Sequence, residues 1–279
     1  MSLRLPRTIL ILLMLPAAIT LTAQDITTTD GQVYLKPSIR RSGEMIMIKV
    51  TPEGGTSSIE MGLPISRIVK VTFPEPPELA KAITAASKGN AAQVLDLTGG
   101  YVAKESDLKD VPGSWWPDMA RLRVLALAAY GKDGECAELA RQIGAVKNSY
   151  AASLARAGTL FAPLSCSDLA AVLVGAKSLP RIGGDQSSAL AQLALGRALL
   201  LKKDYPAALR AFLTIKVFYP SVALLQAPAL AGAADAYMGL KDDKRAAQSY
   251  GDIVRDWPDS PQALTAKMKT EKTESPAHP

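Results

Sequence analysis

The sequence predicts an α+β chain that is predominantly α, with a small β module leading into a run of about five helical hairpins. Three observations carry this reading. A block between residues 190 and 261 is written twice at one offset, and the stretch before residue 74 alternates apolar and polar residues in short runs cut by turns. Aromatic residues make up only 5% of a chain that is 48% hydrophobic, and alanine recurs throughout, a composition that suits closely stacked helices. At 279 residues the chain has room for one large domain and a small one, and its apolar content excludes general disorder.

The repeated block fixes the frame. Leu195, Gly196, Leu199, Ala208, Phe212 and Pro220 are matched 38 residues later by Ala233, Ala234, Tyr237, Ala246, Tyr250 and Pro258. Within each copy the small residue, Gly196 or Ala234, lets two helices approach. A small residue and an aromatic four positions apart then lock the second helix, and proline ends it because it lacks an N–H and clashes with the preceding turn.

This pattern resembles the tetratricopeptide repeat (TPR). The matching positions are Leu195-Gly196, Ala208, Phe212 and Pro220, then Ala234, Tyr237, Ala246, Tyr250 and Pro258. Gln192 and Leu230 stand where such repeats carry a tryptophan, and Ile215 and Ile253 replace a small residue. The ending Trp257-Pro258-Asp259-Ser260-Pro261 is similar to the repeats of bacterial cell-envelope TPR proteins. The resemblance implies an α-solenoid over residues 76–264 whose first helices line a concave face able to take an extended peptide or a partner helix.

Residues 1–23 have the layout of a secretory signal peptide, with Arg4 and Arg7, an apolar run broken by Pro16, and small residues up to Ala23. The apolar run is shorter than the roughly 18 to 20 residues needed to span a bilayer, so cleavage near Ala23 is expected rather than an anchor. The product would be periplasmic or secreted, with no integral span. Net charge is +6, two of it in the leader. Such a mild excess without a dense basic patch does not point to nucleic acid.

Residues 24–75 read as the β module. Asp30-Gly31 makes a turn before Val33-Tyr34-Leu35; Ile46, Ile48 and Val50 share one strand face; residues 57–61 return the chain; and Val69, Val71 and Phe73 align on a last strand. Four or five such strands make a small sheet or an SH3-like barrel, read as a folding cap or docking module. Pro74, Pro76 and Pro77 break the sheet and start a helix near Glu78.

From there the helical signal runs to about Ala266. A first hairpin turns at residues 88–90, Trp115-Trp116-Pro117 opens a second, and a degenerate one fills residues 148–179 with its turn near 165–168. The tryptophans are read as core cover. Lys132-Asp133, Lys203-Asp204 and Lys241-Asp242 are each followed, four residues after the aspartate, by Ala137, Ala208 and Ala246. Each aspartate is therefore expected to cap a second helix. Residues 265–279, rich in Lys, Thr and Glu, read as a disordered tail.

Little in the sequence suggests chemistry. The only histidine is His278, near the end of the chain, and the glycine pairs lack the Lys-Ser/Thr of a phosphate loop. No catalytic residue, cofactor site or metal site is assigned. Cys136 and Cys166, the only thiols, are either a disulfide allowed by export or two buried free cysteines. The expected function is a non-enzymatic adaptor for a protein or peptide partner in the cell envelope. By resemblance, Arg197 and Asp235 face the groove, with Leu193 and Met238 beside them or packed in the core. The alternative is an envelope assembly component, docked through the β module, with the helices as spacer.

Overall fold

The computed structural model describes residues 21–22, 25–35, 37–51, 57–146, 149–165, 168–179 and 185–274. The chain divides into two units, Met1–Phe73 and Pro74–Pro279.

Among its described residues the first unit holds seven strands, β1 (Leu21–Thr22), β2 (Asp25–Thr28), β3 (Val33–Leu35), β4 (Ser38–Ser42), β5 (Met45–Val50), β6 (Ile59–Pro64) and β7 (Ile68–Thr72). They form two antiparallel sheets ordered β1-β4-β5-β6 and β3-β2-β7. Alternation along β5 buries Ile46 and Ile48, and they join Ile26, Ile39, Leu63, Ile68, Val71 and Phe73 in the core. One expected face is corrected. The register of β2 with β7 slips between Thr27 and Thr28, and this bulge turns Val69 outward and puts Ile68 inside. The short β1 falls inside the expected leader, so a cut at Ala23 would leave β4 without its outer neighbour.

The second unit is helical: α1 (Pro77–Ser87), α2 (Ala91–Lys104), α3 (Trp116–Tyr130), α4 (Asp133–Gly144), α5 (Ser149–Thr159), α6 (Phe161–Ser165), α7 (Leu169–Ser178), α8 (Asp185–Leu201), α9 (Tyr205–Phe218), α10 (Gln226–Gly239), α11 (Asp243–Asp256) and α12 (Pro261–Glu274). The break between α5 and α6 follows from Pro163, whose ring clashes with the carbonyl of Thr159 and ends α5 there.

Five turns share one backbone bond. The N–H groups of Asn90, Lys132, Asp168, Asp204 and Asp242 donate to the carbonyls of Ala85, Leu127, Pro163, Leu199 and Tyr237, at 2.9 to 3.0 Å. This 6→1 closure ends a helix when the preceding residue is left-handed. Gly89, Gly131, Lys203 and Lys241 hold that conformation, with φ of 70°, 81°, 61° and 60°. Asn90, Asp168, Asp204 and Asp242 then cap the next helix, each accepting from an N–H three residues on. The two sequence copies are thus copies in backbone as well. Their C-caps agree too: Tyr219 has φ −129° and ψ 48°, and Trp257 has φ −134° and ψ 51°.

The expected role of Asp133 needs correction. Because Gly131 takes the left-handed position, the cap of α4 is Lys132, and Asp133 is the first helical residue. The residue equivalent to Ala208 and Ala246 is then Cys136 rather than Ala137; all three donate to their cap carbonyl and are fully buried. Cys136 is a free thiol that burial, and secondarily Asp133, pushes up to about 12. Cys166 lies outside the described residues.

Packing extends beyond neighbouring hairpins. The second half of α3, residues 124–129, is apolar all round and buried accordingly, with Trp116 at its start fully enclosed and its Nε1 donating to Val102 at 2.9 Å. Arg197 of α8 reaches the Ala128 carbonyl at the end of α3, and Gln262 of α12 reaches that of Ala129, at 2.8 and 2.7 Å. The Trp257 ring lies against Gly89, where a Cβ would come within 2.7 Å of it. The expected tail is also corrected: α12 continues to Glu274, with Ala266 buried against Ala234, Ala246 and Tyr250. Lys267 is exposed and Lys269 reaches Asp235 and Tyr250; residues 275–279 lie outside the described residues.

Phe212 and Tyr250 are both buried, as are Ala208 and Ala246. The Phe212 ring is held between α8 and α10, where a Cβ on Gly196 or Gly232 would come within 2.5 or 2.4 Å of it. Phe212→Ala is expected to cost about 3 to 5 kcal/mol in a denaturant titration. Gly232→Ala should also destabilise, whereas Gly251→Ala, with nothing near its added methyl, should stabilise by roughly 0.5 to 1 kcal/mol. Equal effects of the two glycine variants would reject this packing.

Lys203 and Lys241 are exposed in the left-handed region, where an L side chain is strained by about 1 to 2 kcal/mol. Lys203→Gly and Lys241→Gly should each raise the melting temperature, and the double variant should add the two gains. A fall in either would show that the lysine side chains support the turns.

Candidate functional site

The four residues expected at a groove separate in the structure. Arg197 is tied down on two sides: Nη1 donates to Asp133 Oδ1 at 2.6 Å, Nη2 donates to the Ala128 carbonyl at 2.8 Å, and the guanidinium lies 5.5 Å from the Phe161 ring centre. Only 21% of its side chain is exposed. Burial raises the Asp133 carboxyl and lowers the Arg197 guanidinium, and their mutual attraction opposes both shifts. Arg197 therefore joins the second and fourth hairpins. The expected outward position is occupied from within the fold.

Asp235 is part of another cluster. It accepts from Tyr250 Oη at 2.5 Å and from Lys269 Nζ at 2.6 Å, and Lys269 also sits 4.9 Å above the Tyr250 ring. Burial, then the bond to Asp235, pushes the Tyr250 hydroxyl up to about 12. The cluster fastens α12 to the fifth hairpin. Leu193 has no exposed surface and belongs to the core. Met238 is 49% exposed.

Met238 has exposed apolar company at the ends of first helices: Tyr130, Leu201 and Leu240. Tyr130 and Leu240 are equivalent, each standing immediately before a left-handed residue. The bond from Arg197 to Ala128 brings the end of α8 to the end of α3. Apolar side chains thus mark the turn edge of three hairpins, while Arg197 and Leu193 are turned into the fold.

A separate concavity of about 530 Å³ opens between the third and fourth hairpins. Helix α8 supplies Ser187, Ser188, Ala191 and Gln192; α9 supplies Thr214 and Phe218, with Tyr219 after it; α5 and α7 add Ser153 and Ala176, with Leu179 after α7. None of these lining residues is charged. The Thr214 hydroxyl is spent on the Arg210 carbonyl at 2.8 Å. Ser187 is 4% exposed, and its Oγ has no hydrogen-bond partner. Leaving a buried hydroxyl unpaired costs free energy.

Neither constellation was legible in the sequence. Asp133 and Arg197 are 64 residues apart and no local spacing links them. Ser187 and Ser188 look like ordinary residues at a helix start. The one available signal was Gln192, a polar residue where the repeat pattern has a large apolar one. Among the described residues there is no group of three or more His, Cys, Asp or Glu able to hold a metal, and no helix long and apolar enough to cross a membrane. No family model and no curated protein matches the chain.

Asp133→Ala would leave Arg197 largely enclosed without its carboxylate, and is expected to destabilise by about 1 to 3 kcal/mol. Asp133→Ala/Arg197→Met, which removes both charges, should recover part of that loss. A double variant as unstable as the sum of the singles would show that the two residues act independently.

Proposed function

We propose that this chain is an exported, non-enzymatic TPR-like adaptor that holds a protein partner in the cell envelope. The observation that carries the reading is the recurrence of one hairpin at a fixed 38-residue offset, in sequence and in the left-handed lysines, caps and terminal conformations. Repeats of this kind present rigid surfaces built from equivalent positions. The leader gives the address, and the lone histidine, next to last in the chain, argues against histidine-based catalysis in the fold. Because Arg197 and Leu193 are used internally, the partner surface is the turn edge with Met238, Leu240, Leu201 and Tyr130, a row of apolar side chains suited to a partner's amphipathic helix.

A second reading has its own observation. Strand β6 is a sheet edge, and Ile59 and Met61 on it are 56% and 38% exposed. An open apolar edge can pair with another chain, which favours an assembly component docked through the β module.

The two readings are separated by photo-crosslinking in cells, with the crosslinker placed at Met238 or at Ile59, followed by fractionation. A specific adduct from Met238 in the periplasmic fraction, lost in Leu201→Asp/Leu240→Asp while the melting temperature holds, supports the adaptor. Adducts from Ile59 alone would give precedence to the assembly role. A full-length chain confined to the cytoplasm would overturn both.

A further inference from the structure

We propose that the concavity between α2 and α4 is a binding site for a small monocarboxylate carried on an apolar stem. The inference goes beyond the adaptor reading and does not rest on it.

Helices α2 and α4 both pack on α3, and a concavity of about 560 Å³ opens between them, with Arg123 and Leu127 of α3 in its lining. The whole lining falls within the described residues 57–146. Arg123 is partly buried, and its Nη1 donates to the Leu95 carbonyl at 2.7 Å. Among the described residues no carboxylate lies within ion-pair distance of it. Arg197 shows how the fold settles a similar group, since a backbone carbonyl and Asp133 share its guanidinium. Arg123 has the carbonyl without the carboxylate. Taking a guanidinium partly out of water without a counter-charge costs free energy, and most of its five N–H donors are left for another acceptor. Gly99 belongs to the same arrangement: a Cβ there would come within 3.0 Å of Arg123 Nη1. Glycine inside a helix lowers its stability, and here it lets the guanidinium lie against α2.

The planar fork of arginine matches a carboxylate in a bidentate pair. The α4 wall limits how much charge can enter. Glu135 and Glu138 line it, both exposed, and are held by Lys132 at 3.1 Å and Arg141 at 2.5 Å. A doubly charged anion would bring its second charge toward these carboxylates, so a single carboxylate fits better than phosphate or a dicarboxylate. Val102, Leu127 and Leu139 also line the concavity, with Ala103 exposed on its α2 wall. Apolar side chains beside one orienting polar group are the usual composition of a small-ligand site, and the volume lies within the usual range of about 300 to 1,000 Å³.

The test is nitrogen–proton correlation NMR on the purified chain, following the Arg123 Nε–H and the amides of Gly99 and Gly134. The probes are hexanoate, octanoate and phenylacetate. Their matching neutral amides, adipate, inorganic phosphate and an acetylated, amidated Ala/Leu hexapeptide with one central Glu serve as controls. At least one monocarboxylate should shift these signals saturably, and its amide, adipate and phosphate should bind about tenfold more weakly or worse. Arg123→Met should weaken the monocarboxylate by about tenfold or more, and Arg123→Lys, which keeps the charge without the fork, should fall between. Ala103→Trp, at an exposed position on the wall, should block binding with the melting temperature unchanged, and it keeps the test valid if Arg123→Met misfolds. Absence of saturable shifts with every monocarboxylate, equal binding of acid and amide, binding of phosphate or the hexapeptide alone, or binding indifferent to Arg123→Met and Ala103→Trp would each overturn the proposal.

Discussion

The helical unit depends on one backbone constraint, the turn that closes each first helix with a 6→1 hydrogen bond and starts the second on a capping residue two or three positions past the helix end. The turn fixes where each helix stops and the angle at which the next returns, and it does so five times with the same bond. Its requirement for a left-handed residue is met by glycine in the first two hairpins and by lysine in the last two. Lysine is strained there, so those turns must be held by what surrounds them. Each is followed by an aspartate cap and by an alanine with no exposed surface, and each is preceded by a helix whose glycine or alanine lets the next come close. Local strain is offset by packing that only the assembled array supplies.

The same geometry explains why Arg197 and Leu193 are turned inward. Hairpins stacked in simple sequence would touch only their neighbours, leaving the first helices exposed along one side. Here the second half of α3 carries apolar residues on every side, and that demands cover from every side. The cover comes from α8, α10 and the segment Ala223–Leu225 as well as from its own neighbours. Arg197 is part of this cover. A charge can lie this deep because one carboxylate and one helix-terminal carbonyl meet it, the latter at the negative end of α3.

What was legible in the sequence follows the range of the interactions. The 38-residue offset, the caps at Asp204 and Asp242, the buried aromatic positions and the proline stops depend on neighbours within a few residues, and they could be read directly. The Lys-Asp pair at 132–133 misled because its letters match the later turns, whereas Gly131 takes the left-handed role and moves the cap back by one residue. Val69 misled because a bulge, set by the partner strand, breaks the two-residue period. The α12 segment was hidden by its composition: charged residues between Ala263 and Ala266 and the end of the chain read as a tail until a buried face is supplied by α11. The candidate sites were the least legible, since Asp133 and Arg197 meet only after the hairpins have packed.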